Sequence, residues 1–185
     1  HQLRHLADTA TRDPLAGLFN RAFLESHLDG LGPHARGGLL FIDLDHFKVV
    51  NDRFGHTRGD ALLRSVAQRI DHTMRDGDIA CRWGGDEFVV FLADANPDAA
   101  DSIARRLLEA FKNIPAGDAA DLRIGASMGF AELTDGDWRR TLRRADQALY
   151  QAKQAGRNRA VIFDPDRSTP FRHGPSMEPA RERTE

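Results

Sequence analysis

The sequence has one cysteine, Cys81, in 185 residues. That excludes an internal disulfide framework, argues against a cysteine-built zinc site and fits a reducing compartment. It also lacks a surplus of either charge. Twenty-six basic against 28 acidic side chains leave a net charge of −2, so no global field attracts nucleic acid or an anionic membrane, and any anionic ligand must be met locally. No apolar run approaches the ~20 residues of a membrane helix. Lysine is scarce: Lys48, Lys112 and Lys153 are the three among 26 basic residues. Neither an initiator Met nor a signal-peptide pattern opens the chain, so a piece of a longer protein is expected. What is present is ordinary: 41% hydrophobic and 29% charged residues, enough apolar material for the core of one domain.

Apolar spacing divides the chain. Residues 1–12, with Leu3, Leu6 and Ala10 at helical intervals, read as the end of an incoming helix. Residues 20–31 form a short amphipathic helix on Phe23, Leu24, Leu28 and Leu31. GLLFID at 38–43 is a buried strand bounded by Gly and Asp. Residues 46–58 read as a loop, and a helix runs from Gly59 to Arg75 on Leu62, Val66, Ile70 and Met74. DIACRW (78–83) and EFVVFLA (87–93) are strands of a hairpin turning at Gly84-Gly85. A helix over 97–113, a strand over 122–133, a helix over 138–155 closed by Gly156, and a strand over 160–164 follow. Residues 165–185 hold four of the eight prolines and are expected to be a flexible tail.

This βαββαβ order, with an added helix and strand, predicts an α+β ferredoxin-like core: an antiparallel central sheet with its helices on one face. Such a sheet sets the strand ending at Asp43 beside the one beginning at Glu87. Carboxylates about forty residues apart in sequence then converge.

Three groups of residues carry chemistry in that arrangement. Gly84-Gly85-Asp86-Glu87 reads at its plainest as a solvated hairpin tip. Beside Asp43 it becomes a carboxylate cluster, suited to a hard divalent cation that takes one or two carboxylates plus phosphate oxygens; Glu87 is then a third ligand or a base. Asn51 and Asp60, an amide and a carboxylate, can read the donor and acceptor edge of guanine, whereas Asp60 alone reads as a helix cap. Lys153 and Arg157, four apart at a helix end, either complement the helix C-terminus or hold phosphates. His46 and His56 read as loop residues without metal-ligand spacing. Cys81 reads as a core thiol, and Trp138 and Tyr150 as packing residues.

In order along the chain, D-P-L-A-G-L-F-N-R (13–21), F-I-D-L-D-H-F-K (41–48), N-D-R-F-G-H-T-R-G-D (51–60), G-G-D-E-F (84–88), A-S-M-G-F-A (126–131) and A-D-Q-A-L-Y-Q-A-K-Q-A-G-R-N-R (145–159) resemble the GGDEF diguanylate cyclase family. The resemblance spans Asp13 to Phe163, and the domain is set at 13–164. Ala16 departs from it, standing where the family has threonine. The resemblance implies condensation of two GTP into cyclic di-GMP and two pyrophosphates, one GTP held by each subunit of a homodimer. It implies Mg²⁺ or Mn²⁺ held by Asp43, the Leu44 carbonyl and Asp86, with Glu87 assisting the attacking 3′-hydroxyl. It also implies guanine read by Asn51 and Asp60, and phosphates met by Phe47 through its backbone, Lys48, Lys153 and Arg157. R-D-G-D at 75–78 resembles the family's product-inhibition motif, so Arg75, Asp78 and, further along, Arg106 are expected to bind cyclic di-GMP. Taken alone, Arg75 and Asp78 form an ordinary ion pair or helix-end turn.

The resemblance further implies an N-terminal sensor domain and a cytoplasmic location, as the cytoplasmic part of a larger bacterial signalling protein, with no nucleic acid and no direct membrane contact. Two other readings stand beside the enzyme. One is a catalytically silent relative that binds GTP or cyclic di-GMP, although such relatives usually lose the signature acids retained here. The other is a cyclase of altered nucleotide choice, which the intact Asn51 and Asp60 disfavour.

Overall fold

A computed structural model describes residues 11–115 and 123–166. The incoming helix expected over 1–12 lies almost wholly outside the described residues, as does nearly all of the expected tail. Where the chain needs a helix, it supplies the start. Asn20 caps α1 (Arg21–Asp29) by accepting the Phe23 N–H at 2.9 Å. Asn96 caps α4 (Pro97–Lys112) through the Ala99 N–H, with Pro97 in the first turn. Asp137 does the same for α5 (Trp138–Gln154) through Arg140. Each cap satisfies a donor that the helix cannot.

The strands are β1 (Phe19–Asn20), β2 (Gly37–Asp45), β3 (Ile79–Arg82), β4 (Glu87–Ala93), β5 (Gly125–Glu132) and β6 (Arg159–Ile162). They form one six-stranded sheet in the order β1-β3-β4-β2-β5-β6. The four middle strands are antiparallel as predicted, and β1 and β6 add parallel edges. The period of two divides the side chains cleanly. Leu40, Ile42 and Leu44 of β2 face the core built with α3 (His56–Thr73) and α4, while Leu39 and Phe41 face the one built with α1 and α5. The two helices of the βαββαβ core therefore share one face, and the added α5 covers the other.

Two segments differ from the expectation: the short edge strand β1 is not among the expected elements, and residues 46–58 are not a loop. Residues 46–58 are mostly helical: α2 (Phe47–Phe54) precedes α3, which begins at His56 rather than Gly59. Its apolar anchors, Phe47 and Val50, are only two residues buried in the core, too few to show a period in the sequence. His46 is the residue before α2, in a left-handed conformation (φ 58°), and His56 opens α3 rather than lying in a loop.

Helix α5 lies directly on β5 at Gly129. A Cβ there would sit 2.1 Å from the Ala145 carbonyl oxygen and 2.2 Å from the Leu149 nitrogen. Backbone atoms cannot swing aside as a side chain can. Gly129→Ala is therefore expected to destabilise the fold by about 1–3 kcal/mol or more through overpacking, with α5 displaced; denaturant unfolding of the two proteins checks it.

Candidate active site at the end of the second strand

The site grows out of strand register. Asp43 on β2 lies directly opposite Glu87 on β4. By the same alternation that turns Leu39, Phe41, Val89 and Phe91 towards α5, both carboxylates point to the α5 face of the sheet. Asp86 belongs to the turn immediately before, and its carbonyl accepts the Leu44 N–H at 3.2 Å. The turn closes where the Glu87 carbonyl accepts the Trp83 and Gly84 N–H groups, at 2.9 and 3.3 Å. At Gly84 a Cβ would stand 3.1 Å from Glu87 Oε2. From α5, Lys153 Nζ donates to Asp43 Oδ2. Asp146, two helical turns earlier on the same helix, interacts electrostatically with Asp43, Lys153 and Glu87.

Four carboxylates thus gather around one ammonium group. Burial, and then the Asp43 charge, hold the Asp86 carboxyl above the usual carboxylate range. Burial, Asp43 and Asp86 do the same to Glu87. Asp146 is also raised, by burial and Asp43, with Lys153 opposing. This is a site short of positive charge. Among the described residues no three His, Cys, Asp or Glu side chains stand ready as a complete metal cage. The donor set still fits a hard cation that takes one or two carboxylates and completes its shell with phosphate and water. The ammonium of Lys153 on Asp43 shows where positive charge is accepted.

Other sequence candidates sit as follows. Asn51, on α2, has a buried Oδ1 that accepts no hydrogen bond, and Gly59 on α3 makes room for it: a Cβ at 59 would lie 1.8 Å from that oxygen. Asp60 is the fifth residue of α3 and half-buried, so it is no cap; Gly55 precedes the helix. An open hollow of about 300 Å³ lined by Phe54, Thr57, Arg58 and Ala61 adjoins the same α2–α3 corner. Phe47 is buried in the core, leaving only its main chain for a ligand, and Lys48 is exposed. Arg157 is not on the helix with Lys153. Helix α5 ends at Gln154, and Arg157 follows in a left-handed turn (φ 62°), its N–H donating to the Ala152 carbonyl. The helical i,i+4 spacing therefore does not align the two cations.

Arg75 and Asp78 form a tight turn after α3. Asp78 Oδ2 accepts the Arg75 N–H at 2.9 Å and Oδ1 the Ala93 N–H at 3.0 Å. The carboxylate holds main chain, and Arg75 is exposed. Arg106 is exposed on α4. Cys81 is fully buried, and burial pushes its thiol up to about 12, which makes it inert as a nucleophile.

Besides Asp146 on α5, two groups at the site escaped the sequence reading. Arg82 holds the signature turn from behind: Nε and Nη2 donate to the Gly85 carbonyl at 3.2 and 2.8 Å, and Nη1 meets Asp13 Oδ1 at 3.2 Å. Asp13 in turn accepts the Leu15 and Ala16 N–H groups at 3.0 and 2.7 Å. Ala16 contributes its main chain to this turn, which therefore closes without a hydroxyl at that position. Asp45 is the second group, a buried carboxylate two residues beyond Asp43. Its neighbours lie 82 and 113 residues away in sequence, so no local pattern announces it.

The raised acids have a consequence for stability. In the unfolded chain they ionise near the ordinary carboxylate value, and in the folded protein only at higher pH. Between the two values the folded state holds the extra protons, so stability falls as pH rises through that window. Glu87→Gln removes one such acid. Without metal it is expected to melt above the parent at pH 7, the gap narrowing as pH falls and closing below the ordinary glutamate pKa of about 4.3, where Glu87 is protonated folded and unfolded alike; paired melting curves across pH test this.

The comparisons with known proteins bear on the whole domain. The family described as "Diguanylate cyclase, GGDEF domain" matches residues 10–159. The Escherichia coli K12 protein described as "Probable diguanylate cyclase DgcE" is 38% identical over 174 residues, covering 90% of this chain and 16% of that protein. The cyclic di-GMP phosphodiesterase NbdA of Pseudomonas aeruginosa is 40% identical over 171 residues, covering 88% of this chain and 22% of its own length. The chain spans less than half the length of either. The crystal structure of the coiled coil and GGDEF domain of DgcB from Caulobacter crescentus, in complex with c-di-GMP, superimposes with a TM-score of 0.78 at 28% identity. It covers 87% of this chain and 90% of that one. The antiparallel core, the carboxylates meeting across β2 and β4, and a match running through nearly all described elements lead to one conclusion: the chain belongs to the GGDEF domain family of diguanylate cyclases.

Proposed function

We propose that this domain is an active diguanylate cyclase, condensing two GTP into cyclic di-GMP with release of two pyrophosphates. The observation that carries the reading is the convergence of Asp43, Asp86 and Glu87 with the Lys153 ammonium at the end of β2. Asp43, Asp86 and the Leu44 carbonyl would hold Mg²⁺ or Mn²⁺. When bound, such a cation neutralises phosphate charge and lowers the pKa of a nearby hydroxyl. Glu87, already inclined to hold a proton, is suited to accept one from the 3′-hydroxyl that attacks the α-phosphate of the GTP held by a second subunit. One P–O bond forms and the bond to pyrophosphate breaks. The two facing subunits repeat the step to close the ring.

Asn51 and Asp60 read guanine in this scheme. The buried Oδ1 of Asn51 is an acceptor kept without a partner, which costs stability unless a ligand donor meets it. Phe47 and Lys48 occupy the first turn of α2, where main-chain N–H groups find no carbonyl within the helix and suit phosphate oxygens. Lys153 and Arg157 add positive charge, and Lys153 takes only Oδ2 of Asp43, which leaves Oδ1 for a cation. Arg75, Asp78 and Arg106 form the product site, and the c-di-GMP complex of the DgcB domain supports testing for one. Because Asp78 already holds the backbone, Arg75 is the residue free to bind.

A second reading is nucleotide binding without turnover. Its support is the likeness to NbdA, which is named for degrading cyclic di-GMP rather than for making it. Retention of all three acids favours the enzyme. Incubated concentrated with GTP and Mg²⁺, the parent is expected to make cyclic di-GMP, and Glu87→Gln to make it about 10²–10⁴-fold more slowly. Chromatography of the products decides, and equal rates would remove Glu87 from its role. A covalently paired dimer that binds GTP yet yields no product would establish the receptor reading. Arg75→Ala is expected to raise the product plateau without changing the initial rate; identical plateaus would reduce residues 75–78 to the turn they form.

A further inference from the structure

We propose that Asp45 is a positioning residue, whose buried carboxylate clamps the left-handed turn after α5 and so sets where Arg157 is presented. The proposal rests on the reading of Arg157 as a phosphate contact. Asp45 is 7% exposed, and both of its oxygens are engaged. Oδ1 accepts the hydroxyl of the fully buried Ser127 at 2.7 Å, and Oδ2 accepts the main-chain N–H of Asn158 at 2.8 Å. Asp45 therefore joins three segments: its own strand, the neighbouring β5, and the turn between α5 and β6.

The turn needs such a clamp. Arg157 and Asn158 are consecutive left-handed residues, with φ of 62° and 46°. A side chain with a Cβ is strained in that region, and the conformation persists only where its surroundings impose it. Asn tolerates the conformation; Arg is not chosen for it. Room for the clamp is kept at Gly125, which pairs with Asp45 across β2 and β5. A Cβ at Gly125 would lie 3.1 Å from Asp45 Oδ2 and 3.2 Å from Asn158 Oδ1.

Asp43 and Asp45 follow one another on the same face of β2. The first takes the Lys153 ammonium and the second the Asn158 N–H. One strand end thus holds the chain segment carrying both cations at two points five residues apart. The strand that carries the proposed metal ligand also positions the groups proposed for phosphate.

Equilibrium binding of a non-hydrolysable GTP analogue with Mg²⁺, and of guanosine, to the parent, Asp45→Ala, Asp45→Asn, Arg157→Ala and the Asp45→Ala/Arg157→Ala double variant tests this. Asp45→Ala is expected to weaken the triphosphate about tenfold, or about 1.4 kcal/mol, and to leave guanosine at parental affinity. Asp45→Asn, whose amide oxygen still accepts the Asn158 N–H, restores most of the loss. The double variant binds no more weakly than Arg157→Ala alone, because both changes act through one group. Should Asp45→Ala fail to fold, Ser127→Ala replaces it in the same cycle, with the same pattern and a smaller loss. Multiplying effects, an equal loss of guanosine, or parental triphosphate affinity in the Asp45 or Ser127 variant would overturn the clamp alone. A parent that binds neither ligand would overturn the cyclase reading, and the clamp with it.

Discussion

The antiparallel register of β2 against β4 is the constraint on which the rest depends. It sets Asp43 across from Glu87, and it does so because seven consecutive pairs, from Gly37–Ala93 to Asp43–Glu87, sort their apolar side chains onto two buried faces. A one-residue slip of β2 would turn Leu40 and Ile42 out of one core and drive Asp43 into it. The same alternation that fills the two cores therefore delivers the acids to one face at a strand end. The electrostatic strain of the site is tolerated because the register is secured elsewhere.

Around that register the protein places cations and main chain as counterweights. Lys153 answers Asp43 from α5, and α5 can come close enough because Gly129 has no side chain under it. Trp138 Nε1 donates to Asp29 at 2.8 Å, tying the first turn of α5 to the end of α1. Arg82 holds the Gly85 carbonyl and reaches Asp13, so the chain segment that enters the domain is linked by two side chains to the signature turn. The Arg82–Asp13 contact joins two half-buried side chains, where a charged hydrogen bond is stronger than an exposed ion pair.

Much of this was legible in the linear sequence. The strands carry continuous apolar runs or alternation, the long helices show a 3.6-residue period, and Gly-Gly followed by two acids marks a turn. Helix α2 was not legible, because an eight-residue helix shows too little of its period beside the glycine that ends it. Nor was the separation of Lys153 from Arg157: Gly156 marks the end of the helix to within a residue, but nothing local says that Arg157 and Asn158 then turn left-handed. The Arg75–Asp78 segment shows the opposite case: the plain turn that its spacing suggests is present, and a ligand role is an addition to it.

By itself the sequence determined the order and type of the main elements, the family, and that Asp43 and Glu87 meet at a strand end. These follow from local periodicity, from turn chemistry and from motifs whose spacing is fixed along the chain. Only the tertiary structure decided that Lys153 meets Asp43, that Asn51 is left with an unmet acceptor against Gly59, and that Asp45 holds Ser127 and Asn158. Each of those contacts joins residues on different elements. A hydrogen bond or ion pair is settled within a few tenths of an ångström, and that precision exists only once the sheet and helices have packed.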